Sequence, residues 1–99
     1  GNDNQSAIST YNVARAHQAL GNYERAFHYF AVAEKMKAMG DDDQNMIRYR
    51  RAEMSLAMGD IKQAEAYFNL VDRQVDYESY VKLFNGLEEK IADAKQAQQ

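Results

Sequence analysis

Cysteine and proline are both absent from this chain of 99 residues, and its five glycines are confined to position 1, three short turns and position 86. Without cysteine there is no disulfide and no thiolate metal site, although the compartment is left undecided. Without proline, and with so few glycines, little interrupts a helix; Ala, Glu, Gln, Lys and Met abound, so the chain is read as all-α. Long hydrophobic runs are missing too: no stretch approaches a membrane span, and no signal-peptide pattern opens the chain. A basic excess is also lacking. The formal net charge of −3 argues against a nucleic-acid partner, whose binders carry a basic face.

What is present is punctuation. Ala19-Leu20-Gly21-Asn22, Ala38-Met39-Gly40-Asp41 and Ala57-Met58-Gly59-Asp60 are near-copies, with their glycines 19 residues apart. Glycine just past a helix end tolerates the left-handed conformation that stops the helix, and Asn or Asp then caps the next one. The spacing predicts helices of equal length, some 15 residues or roughly 23 Å at the usual rise. Residues 1–6 are expected to be a frayed polar tail, with Ser6 capping the first helix. The second helix is expected from Tyr23 to Met36, the third from the acidic turn Asp41-Asp42-Asp43 to Met58, and the fourth from Ile61 through Phe68 and Val71 to Val75. Asp76 is the expected cap of a fifth helix carrying Tyr80, Phe84, Leu87 and Ile91 on one side. The opening Gly1-Asn2-Asp3-Asn4, without Met, suits a fragment or processed product with Gly1 as a scar. The compartment is therefore open, with the cytoplasm favoured.

A finer recurrence underlies the glycines. Ala14, Gly21, Tyr23, Ala26, Phe30 and Ala33 return as Ala52, Gly59, Ile61, Ala64, Phe68 and Val71, each shifted by 38 positions. This order of small residue, Gly, aromatic, Ala, aromatic, Ala resembles the tetratricopeptide (TPR) repeat. The usual TPR period is 34. The four extra residues fall at Met39–Asp42 and are expected to give the second helix another turn, as in long-unit variants common in bacterial regulators and signalling proteins. Gly86, 34 positions after Ala52, would then mark a close helix contact. The resemblance covers roughly residues 7–92 and implies a short right-handed TPR-like solenoid of five helices, built from antiparallel hairpins. Residues 7–43 and 44–76 would be the two hairpins, and 77–99 a capping helix with a polar end. Departures are evident: Thr10, Val13, Arg48 and Arg51 replace the usual Trp or Leu, His17 and Ser55 replace a frequent aromatic, and the closing Pro is missing.

In such folds the first helix of each unit lines a concave groove. By position the groove would show Ile8, Tyr11, Arg15 and Gln18, then Met46, Tyr49, Arg50, Glu53 and Leu56, then Tyr80, Leu83, Phe84 and Leu87. The best-known TPR ligand mode clamps the C-terminal carboxylate of heat-shock chaperones with Lys and Asn. Here the matching positions hold Tyr11, Arg15, Arg50, Tyr80 and Phe84, with only Asn12 near the pattern, so that ligand does not carry over. Aromatic and Arg side chains suit an amphipathic helix or an extended peptide with apolar anchors and an acidic group for Arg15 and Arg50. The bland alternative is that Tyr, Met and Leu at helical spacing are core. Two further readings are a regulatory or sensor segment of a larger signalling or transcription-regulating protein, and a structural module that self-associates through its ends, with Leu83 a contact.

Other constellations point to structure. Asp41-Asp42-Asp43 lacks the alternating ligands and the glycine of a calcium loop. Arg48 and Arg51 share a face with acids at hand, so a salt-bridged surface is expected. His17 and His28 are not spaced as metal ligands, and His17 is expected to fill a helix contact. No nucleophile, acid–base pair or phosphate loop is visible, so a non-catalytic protein-binding module without cofactor or metal is expected.

Overall fold

A computed structural model describes residues 2–36 and 39–98, with side chains from residue 5 on. Gly1, read above as a scar, and Ala38, first residue of the second tetrapeptide, lie outside the described residues. The described chain is all-α. It has five helices, α1 (Asn2–Ala19), α2 (Tyr23–Glu34), α3 (Asp41–Ala57), α4 (Ile61–Phe68) and α5 (Glu78–Ala97).

Two of the three glycine turns behave as expected. Gly21 and Gly59 have φ of +79° and +81°. Around them the same pair of hydrogen bonds closes both helices: Asn22 N–H to His17 C=O and Asp60 N–H to Ser55 C=O, each 2.9 Å. Beside these, Gly21 N–H donates to Gln18 C=O and Gly59 N–H to Leu56 C=O. This is the Schellman arrangement, in which a left-handed residue lets the chain satisfy its last carbonyls while turning. Gly40 departs from the pattern. Its φ is −74° with extended ψ, so it precedes α3 as an ordinary N-cap. Asp60 caps α4 by accepting from Gln63 N–H at 3.0 Å, whereas Asn22 makes no side-chain cap bond.

Helix lengths are unequal, against the sequence expectation. They run 18, 12, 17, 8 and 20 residues. The first helix includes residues 2–6, and Ser6 lies inside it, its carbonyl accepting from Thr10 Oγ1 at 2.8 Å. Polar residues next to a nucleated helix extend it when nothing breaks it. Rather than gaining a turn, α2 ends at Glu34, and Lys35 and Met36 close it with tight i→i−3 bonds. The fourth helix stops at Phe68, well before Val75. Leu70 and Val71 bond back three residues, and Val71 still reaches the core from an irregular segment. Nor does Asp76 cap α5, since Tyr77 occupies the N-cap position without a side-chain bond.

Each helix packs on its neighbour in sequence, and α3 also touches α5. Two cores result. Ala14, Ala26, Phe30 and Ala33 pack with Ile47 and Met54 of α3. On its other side, α3 sends Met46, Tyr49 and Ala52 against Ala64, Phe68, Val71, Phe84, Leu87 and Ile91. The 38-residue recurrence has physical content here: Ala14 and Ala52, Ala26 and Ala64, Phe30 and Phe68, Ala33 and Val71 are all buried. Alanine at the helix contacts lets backbones approach, and each buried Phe contributes about 1.5–3 kcal/mol. Gly86 is different. A Cβ placed there meets nothing within 4 Å, so it is not the close contact expected from its spacing.

Candidate functional site

The residues expected to line a groove divide into a buried set and an accessible set. Met46, Tyr49 and Phe84 are buried, as is Leu87. Tyr49 and Phe84 face each other with ring centroids 5.3 Å apart, so neither is presented to a ligand. The physical reason is that α5 closes directly over this side of α3. Tyr11, Gln18, Arg50, Glu53, Leu56 and Tyr80 are half-buried, and Ile8, Arg15 and Leu83 are exposed.

Five of these residues form one polar chain across α1 and α3. Arg15 Nη1 donates to Gln18 Oε1 at 2.7 Å, and Gln18 Nε2 donates to Glu53 Oε1 at 2.9 Å. Glu53 also accepts from Arg50 Nη1 at 3.2 Å and from the Tyr49 hydroxyl at 3.3 Å. The guanidinium of Arg50 lies 5.2 Å from the centre of the Tyr49 ring. Burial, reinforced by the Glu53 carboxylate, pushes the Tyr49 phenol up to about 12. Arg50 is thus already matched by an internal acid, which removes one of the two cations expected to receive an acidic ligand. Arg15 has no carboxylate partner among the described residues.

An apolar cleft of about 240 Å³ opens beside this chain. Ala7, Ile8 and Tyr11 of α1, Met46 and Ile47 of α3 and Tyr80 of α5 form its walls. Tyr11 is held edge-on to Phe30 at 5.5 Å, and Tyr80 is braced between Tyr77 and Phe84. Met46 and Tyr80 are shared with a second cleft of about 430 Å³, which is rimmed by Asp41, Asp42, Asp72 and Asp76. The two therefore meet at a common wall. A third, between α4 and α5, is crossed by the pairs Arg73–Glu88 and Lys95–Glu65.

The clamp by Asn45 and the enclosure of Arg51 were not anticipated. Asn45 is buried and grips the backbone of Asp72, donating from Nδ2 to its carbonyl at 2.8 Å and accepting from its N–H at 2.7 Å. Arg51 lies 4.1 Å from the centre of the Tyr67 ring and 5.0 Å from that of Phe27, and pairs with Glu34 at 3.0 Å. Arg48 joins the same carboxylate at 3.6 Å. The expected pairing of Arg48 and Arg51 with acid is present, but Arg51 is largely enclosed between helices. His17 stacks flat on Tyr29 at 5.4 Å, in keeping with a contact role. Neither Asn45 nor Arg51 gives a local sequence signal, because their partners lie 16 to 27 residues away.

Among the described residues no group of His, Asp and Glu is gathered as a metal site, and no helix is long and apolar enough to cross a membrane. No protein-family model matches this chain, and neither a curated protein nor a solved structure matches it.

Proposed function

We propose that this chain is a non-catalytic protein–protein interaction module, a short right-handed TPR-like solenoid of antiparallel hairpins that takes a partner peptide or helix on the face shared by α1, α3 and α5. The observation that carries this reading is the apolar cleft, whose walls come from residues as far apart in the chain as Ala7 and Tyr80. Supporting it, the Gly21 and Gly59 turns are alike in geometry and the small and aromatic positions recur in register. Exposed Ile8 at one edge and Leu83 on α5 add apolar surface that a partner would cover. The anchoring residues are Ile8, Tyr11 and Tyr80; Tyr49 and Phe84 support the wall from behind.

The test is panning a display library of random 16-residue peptides on the immobilised protein, beside an Ile8→Asp variant. Ile8 is 52% exposed, so the substitution leaves the fold intact. Families of peptides that bind the parent and lose the variant support the reading. Absence of enrichment, or enrichment indifferent to Ile8→Asp, refutes it.

Leu70, Tyr77 and Leu83 are exposed around α4 and α5, which favours a second reading, self-association through that end. Light scattering over a range of concentrations distinguishes the two: a mass fixed near 11.3 kDa excludes it.

A further inference from the structure

The charges around the face are unbalanced, and the imbalance specifies an occupant. Every ion pair among the described residues uses a glutamate; no aspartate takes part. Yet Asp41, Asp42, Asp72 and Asp76 rim the second cleft and Asp43 the first, all of them exposed. Some of this charge has an internal role. The carboxylate of Asp72 accepts from Gln74 N–H at 2.9 Å, and Asp41, Asp42 and Asp43 sit in the first turn of α3. A helix N-terminus, however, carries only about half a positive charge, against three carboxylates. Arg48 is the cation lining this cleft, and Glu34 already holds it. Beside the acids stand the paired rings of Tyr77 and Tyr80, 5.2 Å apart, which can lie against a cation.

We propose that the occupant of the groove is a basic amphipathic peptide segment. Its apolar side chains enter between Tyr11, Met46 and Tyr80, and its Lys or Arg side chains reach the aspartates and tyrosine rings at the mouth. The inference rests on the reading that this face binds a partner segment, and it reverses the polarity expected from the arginines: Arg50 is paired with Glu53, while among the described residues no cation pairs with the aspartates. Exposed charge pairs of this kind contribute modestly to affinity each, and more to the speed and salt dependence of association.

The same panning experiment reads the charge. Enriched peptides are expected to carry Lys or Arg close to Leu, Ile or Phe. A synthetic representative is expected to bind the combined variant Asp42→Asn, Asp43→Asn, Asp76→Asn about tenfold more weakly at low salt, and the difference is expected to shrink at high salt. Circular dichroism checks that the variant remains helical, since none of the three aspartates is an N-cap and each loses only a modest dipole interaction. Neutral or acidic enriched peptides that still depend on Ile8 overturn the charge inference and leave the groove reading standing. Binding unaffected by the aspartate variant does the same. A concentration-dependent dimer abolished by Ile8→Asp overturns it by seating a second copy in the groove.

Discussion

Asn45 holds Asp72 by both ends of its backbone, one hydrogen bond in each direction, across 27 positions of sequence. This pairing imitates two rungs of a sheet ladder with a side-chain amide, and it ties the segment between α4 and α5 to the start of α3. Asn45→Ala leaves the Asp72 N–H and carbonyl without these partners. A loss of about 2 kcal/mol is expected, measured by urea denaturation. A loss below about 0.5 kcal/mol would mean that water replaces the amide freely.

The glycines at 59 and 86 answer oppositely to alanine. Gly59 is left-handed, and Gly59→Ala is expected to cost roughly 1–2 kcal/mol. Gly86 lies inside α5 with open space where a Cβ would go. Gly86→Ala should raise stability by up to about 1 kcal/mol. Thermal melts of the two variants beside the parent decide it, and lowered stability in Gly86→Ala would restore the close contact suggested by spacing.

Tyrosine ionisation offers a probe of the α1–α3 network. Tyr49 ionises at about 12, above its ordinary value. In the unfolded chain the proton leaves near 10. Between those values the unfolded state binds fewer protons, so stability is complete below pH 10 and declines as pH rises towards 12. Ultraviolet titration should show Tyr49 among the last tyrosines to ionise, and Tyr49→Phe should remove this part of the alkaline destabilisation. An unchanged alkaline profile in Tyr49→Phe would deny Tyr49 this role.

Core and surface are separable within the residues first grouped as a groove. Tyr49→Ala removes a buried ring packed on Phe84 and should cost roughly 3–5 kcal/mol. Leu83→Ala, at an exposed position, should change stability by less than about 0.5 kcal/mol. Urea unfolding curves of both variants provide the comparison. Equal costs would contradict the division between buried Tyr49 and exposed Leu83.

The helices and two of their turns are legible in the sequence because their causes are local. Gly21 and Gly59 must stop a helix, Asp60 can cap one, and the alanines and aromatics that recur after 38 positions must be buried together. Where the reading fails, the deciding contact is distant. Val71 and Val75 continue the periodicity of α4, yet Asn45 captures Asp72 and the helix ends at Phe68. Within the run Arg48-Tyr49-Arg50-Arg51, helix position assigns Tyr49 and Arg50 to the groove and Arg48 and Arg51 to a salt-bridged surface, whereas Tyr49 and the nearby Ala52 are core. The arginines are tolerated there because Glu34 pairs with Arg48 and Arg51 and Glu53 with Arg50, and because aromatic rings lie against the guanidinium groups of Arg50 and Arg51. The candidate site was legible only by helix position. Which of Tyr11, Tyr49, Tyr80 and Phe84 remain accessible depends on how α5 closes over α3, and no local pattern encodes that.

Because α3 contributes side chains to both cores, neither half of the molecule can melt while the other stays whole. Losing the contacts of Ile47 and Met54 with α2 releases the same helix that carries Met46, Tyr49 and Ala52. Unfolding is therefore expected to be one cooperative event, with amides at the middle of α3 exchanging with solvent only when the entire chain opens. A partner that stiffens α3 from the groove would then protect α2 and α4 as well, although neither helix lines the groove.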